Sequence, residues 1–160
     1  MSSLPTTSKE EYFSYKDNIY QTPSGSASWF SRPFPTPNFY RKFFWNVCRS
    51  SLIARLGNYD EREWSRTSFD VQRALESVGV HTEISGVEHI RQLGSPCVFV
   101  GNHMSMLETM VLPAIIQPIR DVTFVVKKSL LEYPVFRHVV RARDPIAVSR
   151  ENPREDFKTV

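Results

Sequence analysis

The apolar run Cys97–Val100 constrains the fold most, because a polar turn and a second apolar group follow it directly. The turn comprises residues 101–108, and Met110 to Leu112 continue the apolar pattern. A short apolar run bounded by turn residues is typical of a strand buried inside a sheet. We therefore predict a buried strand at 97–100 that passes through a turn into a helix beginning near Ser105.

This turn contains two groups that are suited to acid–base chemistry. Imidazole is the side-chain group most often used as a general base, and Glu108 could orient that of His103 and stabilise its protonated form. Because five residues rotate by about 500° on a regular helix, the two side chains meet only if His103 lies in the turn. The carboxyl end of a strand is also where open α/β sheets bind ligands. The alternative is structural, with Asn102 or Ser105 capping the helix and Glu108 interacting with its dipole.

Further strand candidates are found at Val80–Ser85, Val122–Val126 and Ile146–Val148, with helical stretches between them. Apolar strands that alternate with helices predict βαβ units. We expect residues 80–160 to form an α/β domain with a mixed or parallel sheet flanked by helices. Asn152 and Pro153 then announce a new helix close to the last residue. We therefore expect the chain to be an N-terminal fragment that lacks the C-terminal part of this domain.

Residues 39–79 predict a two-helix element ahead of the α/β domain. The first helix, Phe39–Leu56, has a strong aromatic face interspersed with basic residues and contains no acidic residue. Such a helix suits a membrane interface, although a core-packing helix with solvated charges is the alternative. The second helix begins at Asp60 and ends at Gly79. Its apolar stripe consists of Trp64, Val71, Leu75 and Val78.

Residues 1–38 are rich in Ser, Thr and Pro, so most of this segment is expected to be a disordered arm. The 160 residues with 41% hydrophobic content suit one domain with appendages. The two cysteines lie far apart, which gives no support for a disulfide framework or a zinc site. A reducing compartment is therefore the default expectation. Because the sequence has neither an N-terminal apolar region nor a run of 18 apolar residues, we expect neither a signal peptide nor a standard membrane span.

The pattern Asn102-His103-x-Ser105-x-x-Glu108 after an apolar strand resembles the first motif of the glycerophospholipid acyltransferase family. That family includes the bacterial 1-acylglycerol-3-phosphate acyltransferases and carries His-x4-Asp, with Glu108 here in the Asp position. The resemblance extends from about Gly86 to Arg150. It departs from the family's second motif at Asp144 and Ala147, where Gly and an aromatic residue are usual. The third motif, Glu-Gly-Thr-Arg, would lie beyond the last residue.

The resemblance implies that His103 is the general base and that Glu108 orients it. It also implies that Asn102, Ser105, Lys127 and Arg150 bind substrate, the two cations holding a phosphate. The alternative for Lys127 and Arg150 is a solvated charge at the end of a strand. The implied reaction moves a fatty acyl group from acyl-CoA or acyl carrier protein to a lysophospholipid, and the resemblance indicates 1-acylglycerol-3-phosphate as the acceptor.

The expected partners are therefore an acyl donor, a lysophospholipid acceptor and the cytoplasmic face of a membrane, contacted through residues 39–56. We expect no metal, no further cofactor and no nucleic acid. Two other readings remain open. The chain could be a catalytically silent member of the fold that binds lipid or a membrane surface. It could also be a soluble hydrolase that acts on thioesters.

Overall fold

The computed structural model describes residues 12–31 and 33–159, except for the side chain of residue 30. Its helices are α1 (Pro35–Arg55), α2 (Glu61–Glu76), α3 (Val87–Gln92), α4 (Leu107–Ile116), α5 (Phe136–Arg141) and α6 (Pro153–Thr159). Its strands are β1 (Tyr20–Gln21), β2 (Glu83–Ile84), β3 (Val125–Lys127) and β4 (Ile146–Val148). Short 3-10 helices lie at Trp29–Ser31 and Lys128–Leu131. This mixture of helices and small sheets is consistent with the predicted α/β class.

The α2 helix begins and packs as its sequence predicts. The Asp60 carboxylate accepts a hydrogen bond from the Glu63 N–H at 2.8 Å, which satisfies one of the free donors at the start of the helix. Trp64, Val71 and Leu75 of the predicted apolar stripe are all buried. The buried face of α2 therefore forms the centre against which α1 and α4 pack.

The α1 helix is held on α2 by polar contacts. The Lys42 ammonium donates to the Ser77 hydroxyl at 2.6 Å, and the Asn46 amide donates to the Thr67 carbonyl at 2.8 Å. The residues that α1 buries are mostly small and polar: Val47, Ser50 and Ser51. Its large apolar residues lie on the outside instead, namely Tyr40, Phe44, Trp45, Leu52 and Leu56. Phe39 and Phe43 are half-buried, so the aromatic face of α1 is largely exposed and none of its rings lies fully in the core.

Residues 12–28 differ from the prediction of a disordered arm. Phe13 and Tyr20 are 4% and 6% exposed and belong to the main hydrophobic cluster, together with Ile84, Val87 and Ala114. The aromatic residues of this segment are the ones that pack against the domain. The prediction is therefore wrong for this stretch, since buried aromatic side chains offset the cost of ordering the backbone. Residues 1–11 of the predicted arm lie outside the described residues.

A buried carboxylate fixes this segment to the domain. Glu76, 6% exposed, accepts hydrogen bonds from the Tyr20 hydroxyl at 2.7 Å, the Gln72 amide at 3.0 Å and the Thr22 hydroxyl at 3.1 Å. Burial and the hydrogen bond to Glu76 raise the pKa of Tyr20 above its usual range. Three donors from two parts of the chain thus satisfy one carboxylate that would otherwise be costly to bury.

The strands form two small sheets. In one, β1 and β2 are antiparallel, with Tyr20 opposite Ile84. In the other, β3 and β4 are parallel, with Val125 opposite Ile146, and α5 connects them. The predicted βαβ unit is therefore present for the last two predicted strands. The strand predicted at 80–85 is found at residues 83–84, and it pairs with the N-terminal segment.

The strand predicted at 97–100 is not formed in the structure. Residues 91–106 are all exposed, and Val98 and Val100 expose 87% and 92% of their surface. A strand requires a neighbouring backbone to satisfy its N–H and C=O groups. Within the described residues, no strand lies beside this run. The prediction of a buried strand is contradicted here, although the turn and the helix that should follow it are both present.

No helix in the described part of the chain is both long enough and apolar enough to cross a membrane.

Candidate functional site

The His103 and Glu108 side chains meet as the spacing required. His103 lies in the turn and Glu108 is the second residue of α4. The distance from His103 Nδ1 to Glu108 Oε2 is 3.8 Å. This separation exceeds a hydrogen bond, but it permits an ion pair when the imidazole is protonated. The His103 side chain is 69% exposed, so the face of its ring away from Glu108 is open to a substrate.

Glu108 also organises the backbone of the turn. Its Oε1 accepts hydrogen bonds from the N–H groups of Met104 at 2.9 Å and Ser105 at 3.0 Å, and its Oε2 accepts from the Ser105 N–H at 3.1 Å. Hydrogen bonds from backbone N–H groups lower the pKa of Glu108. The N–H group of Glu108 itself contributes most, followed by those of Met104 and Ser105. The carboxylate is therefore ionised at neutral pH, with its charge placed beside the imidazole.

Ser105 joins this carboxylate to the start of α4. Its hydroxyl donates to Glu108 Oε2 at 3.1 Å and accepts from the Leu107 N–H at 3.0 Å. The Ser105 hydroxyl thus satisfies the first N–H group of α4, although the N-cap residue is Met106, which makes no side-chain capping bond. This contact coexists with the approach of His103 to Glu108, so the two interpretations of the turn are compatible. Asn102 is exposed in the same turn.

A second turn with similar chemistry follows β4. The Asp156 carboxylate accepts from the N–H groups of Ser149 and Arg150, both at 2.7 Å, and from the Ser149 hydroxyl at 3.0 Å. These bonds lower the pKa of Asp156, and the bond from the Ser149 N–H contributes most. They hold Arg150 at a φ of 64°, a left-handed conformation that is uncommon for a residue with a side chain. Asn152 caps α6, as predicted, by accepting from the Arg154 N–H at 3.2 Å.

Lys127 and Arg150 lie at the same end of the parallel sheet, where the carboxyl ends of β3 and β4 meet. Lys127 is the last residue of β3 and pairs with Val148, and Arg150 follows two residues later. Both side chains are exposed, as a phosphate site requires. His103 does not follow a strand of this sheet, because residues 97–100 are not part of it. The structure thus brings together His103, Ser105 and Glu108 in one group and Lys127 and Arg150 in another.

An apolar cavity of about 120 Å³ begins beside the first group. Thr109 and Met110, which directly follow Glu108, form part of its wall. The remaining wall comes from α1, α2, β3 and α5, and includes Val47, Trp64, Val71, Phe124, Val126, Phe136 and Val139. An apolar cavity of about 150 Å³ is known to stay dry and to bind benzene. The cavity is therefore of a size that holds a short apolar group.

Sequence reasoning did not identify this cavity or its polar boundary. Arg143 lies over the Trp64 ring, 4.7 Å from its centroid, and 3.8 Å from the Glu61 carboxylate. The Arg143 side chain is 16% exposed, and its Nε has no hydrogen-bond partner among the described residues. Five separate elements meet at the cavity, so no local pattern could reveal it. The feature of the sequence that could have indicated the cavity is Trp64, the one aromatic residue in the predicted apolar stripe of α2.

Comparison with known proteins agrees with the motif in the first turn. Residues 81–160 match the family model described as Acyltransferase. A 1-acyl-sn-glycerol-3-phosphate acyltransferase of Pseudomonas aeruginosa is 30% identical to this chain over 97 residues. That stretch covers 61% of this chain and 35% of the relative, so the chain spans about a third of that protein's length. No solved structure gives a significant match.

Proposed function

Because the chain belongs to the acyltransferase family, we propose that it moves a fatty acyl group from acyl-CoA or acyl carrier protein to the hydroxyl of a lysophospholipid, 1-acylglycerol-3-phosphate. The observation that carries this proposal is the pair formed by an exposed imidazole and an ionised carboxylate, 3.8 Å apart. A glycerol hydroxyl is a poor nucleophile, so a base that removes its proton is what the reaction requires.

The chemistry follows from the orientation of the imidazole. Glu108 lies at Nδ1, which favours the tautomer with its proton on Nδ1 and leaves the Nε2 lone pair free. Nε2 accepts the hydroxyl proton as the oxygen attacks the thioester carbonyl. The tetrahedral intermediate then collapses, the C–S bond breaks, and the imidazolium returns the proton to the thiolate. Glu108 stabilises the transient imidazolium, and Asn102 and Ser105 contact the substrate from the same turn.

The cavity supports an acyl substrate. Thr109, the residue after Glu108, lines it, and apolar side chains form most of its wall. We infer that it receives the alkyl end of the acyl chain while the thioester lies at His103. Burying methylene groups there contributes about 0.8 kcal/mol each, which favours a long-chain donor over acetyl-CoA.

Lys127 and Arg150 provide the acceptor site in this proposal. An Arg binds phosphate oxygens through paired N–H groups, and a Lys adds a compact positive charge. Both residues lie at the carboxyl ends of the parallel strands, which is where α/β proteins bind ligands. A phosphate held there distinguishes lysophosphatidate from a neutral monoacylglycerol.

The experiment supplies purified protein with a long-chain acyl-CoA, or with acyl carrier protein as donor, with and without lysophosphatidate. We expect phosphatidate and free CoA to appear in equal amounts, and only when the acceptor is present. Free fatty acid released without acceptor would indicate a thioester hydrolase and contradict the proposal. Absence of both products would leave the catalytically silent alternative.

We also infer that α1 lies on the cytoplasmic face of a membrane. Its exposed Phe44, Trp45 and Leu52 suit the boundary between headgroups and acyl chains, and the exposed Arg41 and Arg55 suit anionic lipid. Replacing those three apolar residues with Ser should release the protein from anionic vesicles in a flotation assay. The matched control replaces Arg41 and Arg55 with Gln, which should weaken binding mainly at low salt. Unchanged flotation of the Ser variant would exclude this surface.

A further inference from the structure

A group of cations lies where the last turn of α1 meets α5. Arg137 and His138 follow one another on α5, and Arg137 Nε donates to His138 Nε2 at 3.4 Å. Arg141 ends the same helix, and Arg55 ends α1, which packs against α5. The charges of Arg137, Arg55 and Arg141 all act on the His138 ring. Three permanent positive charges thus lie around one imidazole.

No acidic side chain offsets these charges. Neither α1 nor α5 contains Asp or Glu. Among the described residues, Arg55, Arg137 and Arg141 make no ion pair. Partial removal from water, and then the charges of Arg137, Arg55 and Arg141, lower the pKa of His138. The cluster therefore carries an unbalanced positive charge.

The helix dipole accounts for only part of this arrangement. Arg55 and Arg141 lie in the last turns of their helices, where a cation interacts favourably with the C-terminal end of the dipole. Arg137 is the second residue of α5, at the opposite end, where a cation gains nothing from the dipole. All three residues are exposed, and like charges gathered on an exposed surface attract an anion from the surroundings.

Exposed apolar residues border the same cluster. Leu52 and Leu56 are 57% and 67% exposed and lie one turn apart on α1, next to Arg55. Apolar residues beside cations are typical of a helix at the boundary between lipid headgroups and acyl chains. A soluble phosphate compound would need the cations alone. The two leucines therefore favour an anion that belongs to a membrane.

We propose that α5 and the last turn of α1 form one binding site for the phosphate of an anionic lipid headgroup. Arg55, Arg137 and Arg141 are the cations of this site, and Leu52 and Leu56 enter the bilayer beside it. The site extends the membrane contact proposed for α1 to a second helix, and it does not depend on acyl transfer.

This site differs from the one proposed at Lys127 and Arg150, because the lipid that it binds is not consumed. Residues on the inner faces of α1 and α5, such as Val47 and Val139, line the apolar cavity. When the outer faces of the two helices lie on the membrane, the cavity lies directly behind them. The site thus holds the cavity close to the bilayer from which lipid substrates come.

Cosedimentation of the full chain with vesicles measures this contact. The double variant Arg137→Gln/Arg141→Gln should bind vesicles that contain phosphatidylglycerol roughly 10- to 30-fold more weakly, because each cation near an anionic surface contributes about fivefold. Lys16→Gln/Arg154→Gln is the matched control. It removes the same charge from exposed positions outside the cluster and should bind as the unaltered protein does. Vesicles of phosphatidylcholine alone should not distinguish the three proteins.

The imidazole of His138 reports whether the anion lies in the cluster. A bound phosphate offsets the three guanidiniums, so the pKa of His138 should rise by about one pH unit in nanodiscs that contain phosphatidylglycerol. An NMR titration of the ring in nanodiscs of phosphatidylcholine alone should show no rise. Free CoA and inorganic phosphate, at the same phosphate concentration, should also leave this pKa unchanged.

Each result decides the proposal. Equal weakening in Lys16→Gln/Arg154→Gln overturns it, because net charge alone then explains the binding. An unchanged pKa of His138 with anionic nanodiscs overturns it, and an equal rise with CoA or phosphate does so by assigning the cluster to a soluble ligand. If far-UV circular dichroism shows that the α5 double variant does not fold, the titration of the unaltered protein still decides. Neither measurement needs turnover, so a failure of acyl transfer is recognised separately in the product assay.

Discussion

The turn before α4 and the turn before α6 are built in the same way but carry different functional groups. In each, a carboxylate of the following helix accepts backbone N–H groups of the turn, from Met104 and Ser105 in the first and from Ser149 and Arg150 in the second. In each, a serine hydroxyl also contacts that carboxylate. The first turn presents an imidazole, and the second presents a guanidinium.

The hydrogen bonds that hold each turn and the side chain that each turn presents are therefore separate features. A carboxylate that holds a turn recurs in this chain, so the bonds of Glu108 to the backbone do not by themselves indicate catalysis. What distinguishes the first turn is His103, whose Nδ1 lies 3.8 Å from the same carboxylate. The second turn fixes the backbone of Arg150, and its side chain is free to meet a phosphate. The same construction thus carries an imidazole in one turn and a guanidinium in the other.

The largest expected effect comes from removing the imidazole. We expect His103→Ala to lower kcat/KM for acyl transfer by about 10²–10⁴-fold, because general-base assistance typically contributes that much. The melting temperature should change little, since the side chain is 69% exposed. His89→Ala is the matched control, because His89 is also exposed and lies 3.6 Å from Glu88. Equal losses in the two variants would remove the distinction between the turns.

The next effect concerns the two carboxylates. We expect Glu108→Gln to lower kcat by roughly 10- to 100-fold, which is about 1.4–2.7 kcal/mol in the activation free energy, because the negative charge that stabilises the imidazolium is lost. Asp156→Asn should leave kcat nearly unchanged and raise KM for lysophosphatidate instead. Steady-state kinetics with both variants separate the two parameters. Glu108→Asp should be the mildest change in the first turn, and a kcat loss in Asp156→Asn that matches Glu108→Gln would contradict the comparison.

A smaller effect is expected from the guanidinium of the second turn. Arg150→Ala should raise KM for lysophosphatidate by about tenfold with little change in kcat, since one charge-assisted contact to phosphate is lost. Arg154→Ala removes a nearby exposed Arg that begins α6 and should have no effect on KM. The same KM in all three proteins would indicate that Arg150 is a solvated charge.

The smallest expected effect is the change in backbone amide chemical shifts when the carboxylates of the two turns are protonated. Because the folded pKa of each carboxylate is lowered, its bonds are complete above the unfolded pKa and are lost as the pH falls through the folded value. The Met104 and Ser105 amide resonances should therefore shift only below the usual Glu pKa of about 4.3. Those of Ser149 and Arg150 should shift below the usual Asp pKa of about 3.9. NMR spectra recorded between about pH 2 and pH 6 check both values, and midpoints at or above them would contradict the bonding of the turns.

Local patterns predicted much of this fold. Asp60 caps α2 and Asn152 caps α6, as their positions before helical stretches indicated. Ile146–Val148 forms a strand with the predicted bounds, because three apolar residues lie between turn residues. The approach of His103 to Glu108 was also accessible, since helical geometry requires the His to lie in the turn. These features depend on neighbours in sequence.

Features that depend on distant partners were not predictable in the same way. The composition of residues 12–28 suggested disorder, because no local pattern shows that Tyr20 meets Glu76, 56 residues away. The run Cys97–Val100 has the composition of a strand, but a strand also requires a neighbouring edge, and composition does not identify it. The cavity beside Glu108 arises where several elements meet. In each case the missing information was the partner in space.

The carboxylate of Glu76 determines how far the chain can be shortened. The family match begins at residue 81, which suggests that everything before it is dispensable. A chain that began after Thr22 would lose the Tyr20 and Thr22 hydroxyls and leave Glu76 with the single donor from Gln72. Water would then have to enter the space left by Phe13 and Tyr20 to solvate the negative charge. The boundary of the folding unit therefore lies before Phe13, well upstream of residue 81, where the family match begins.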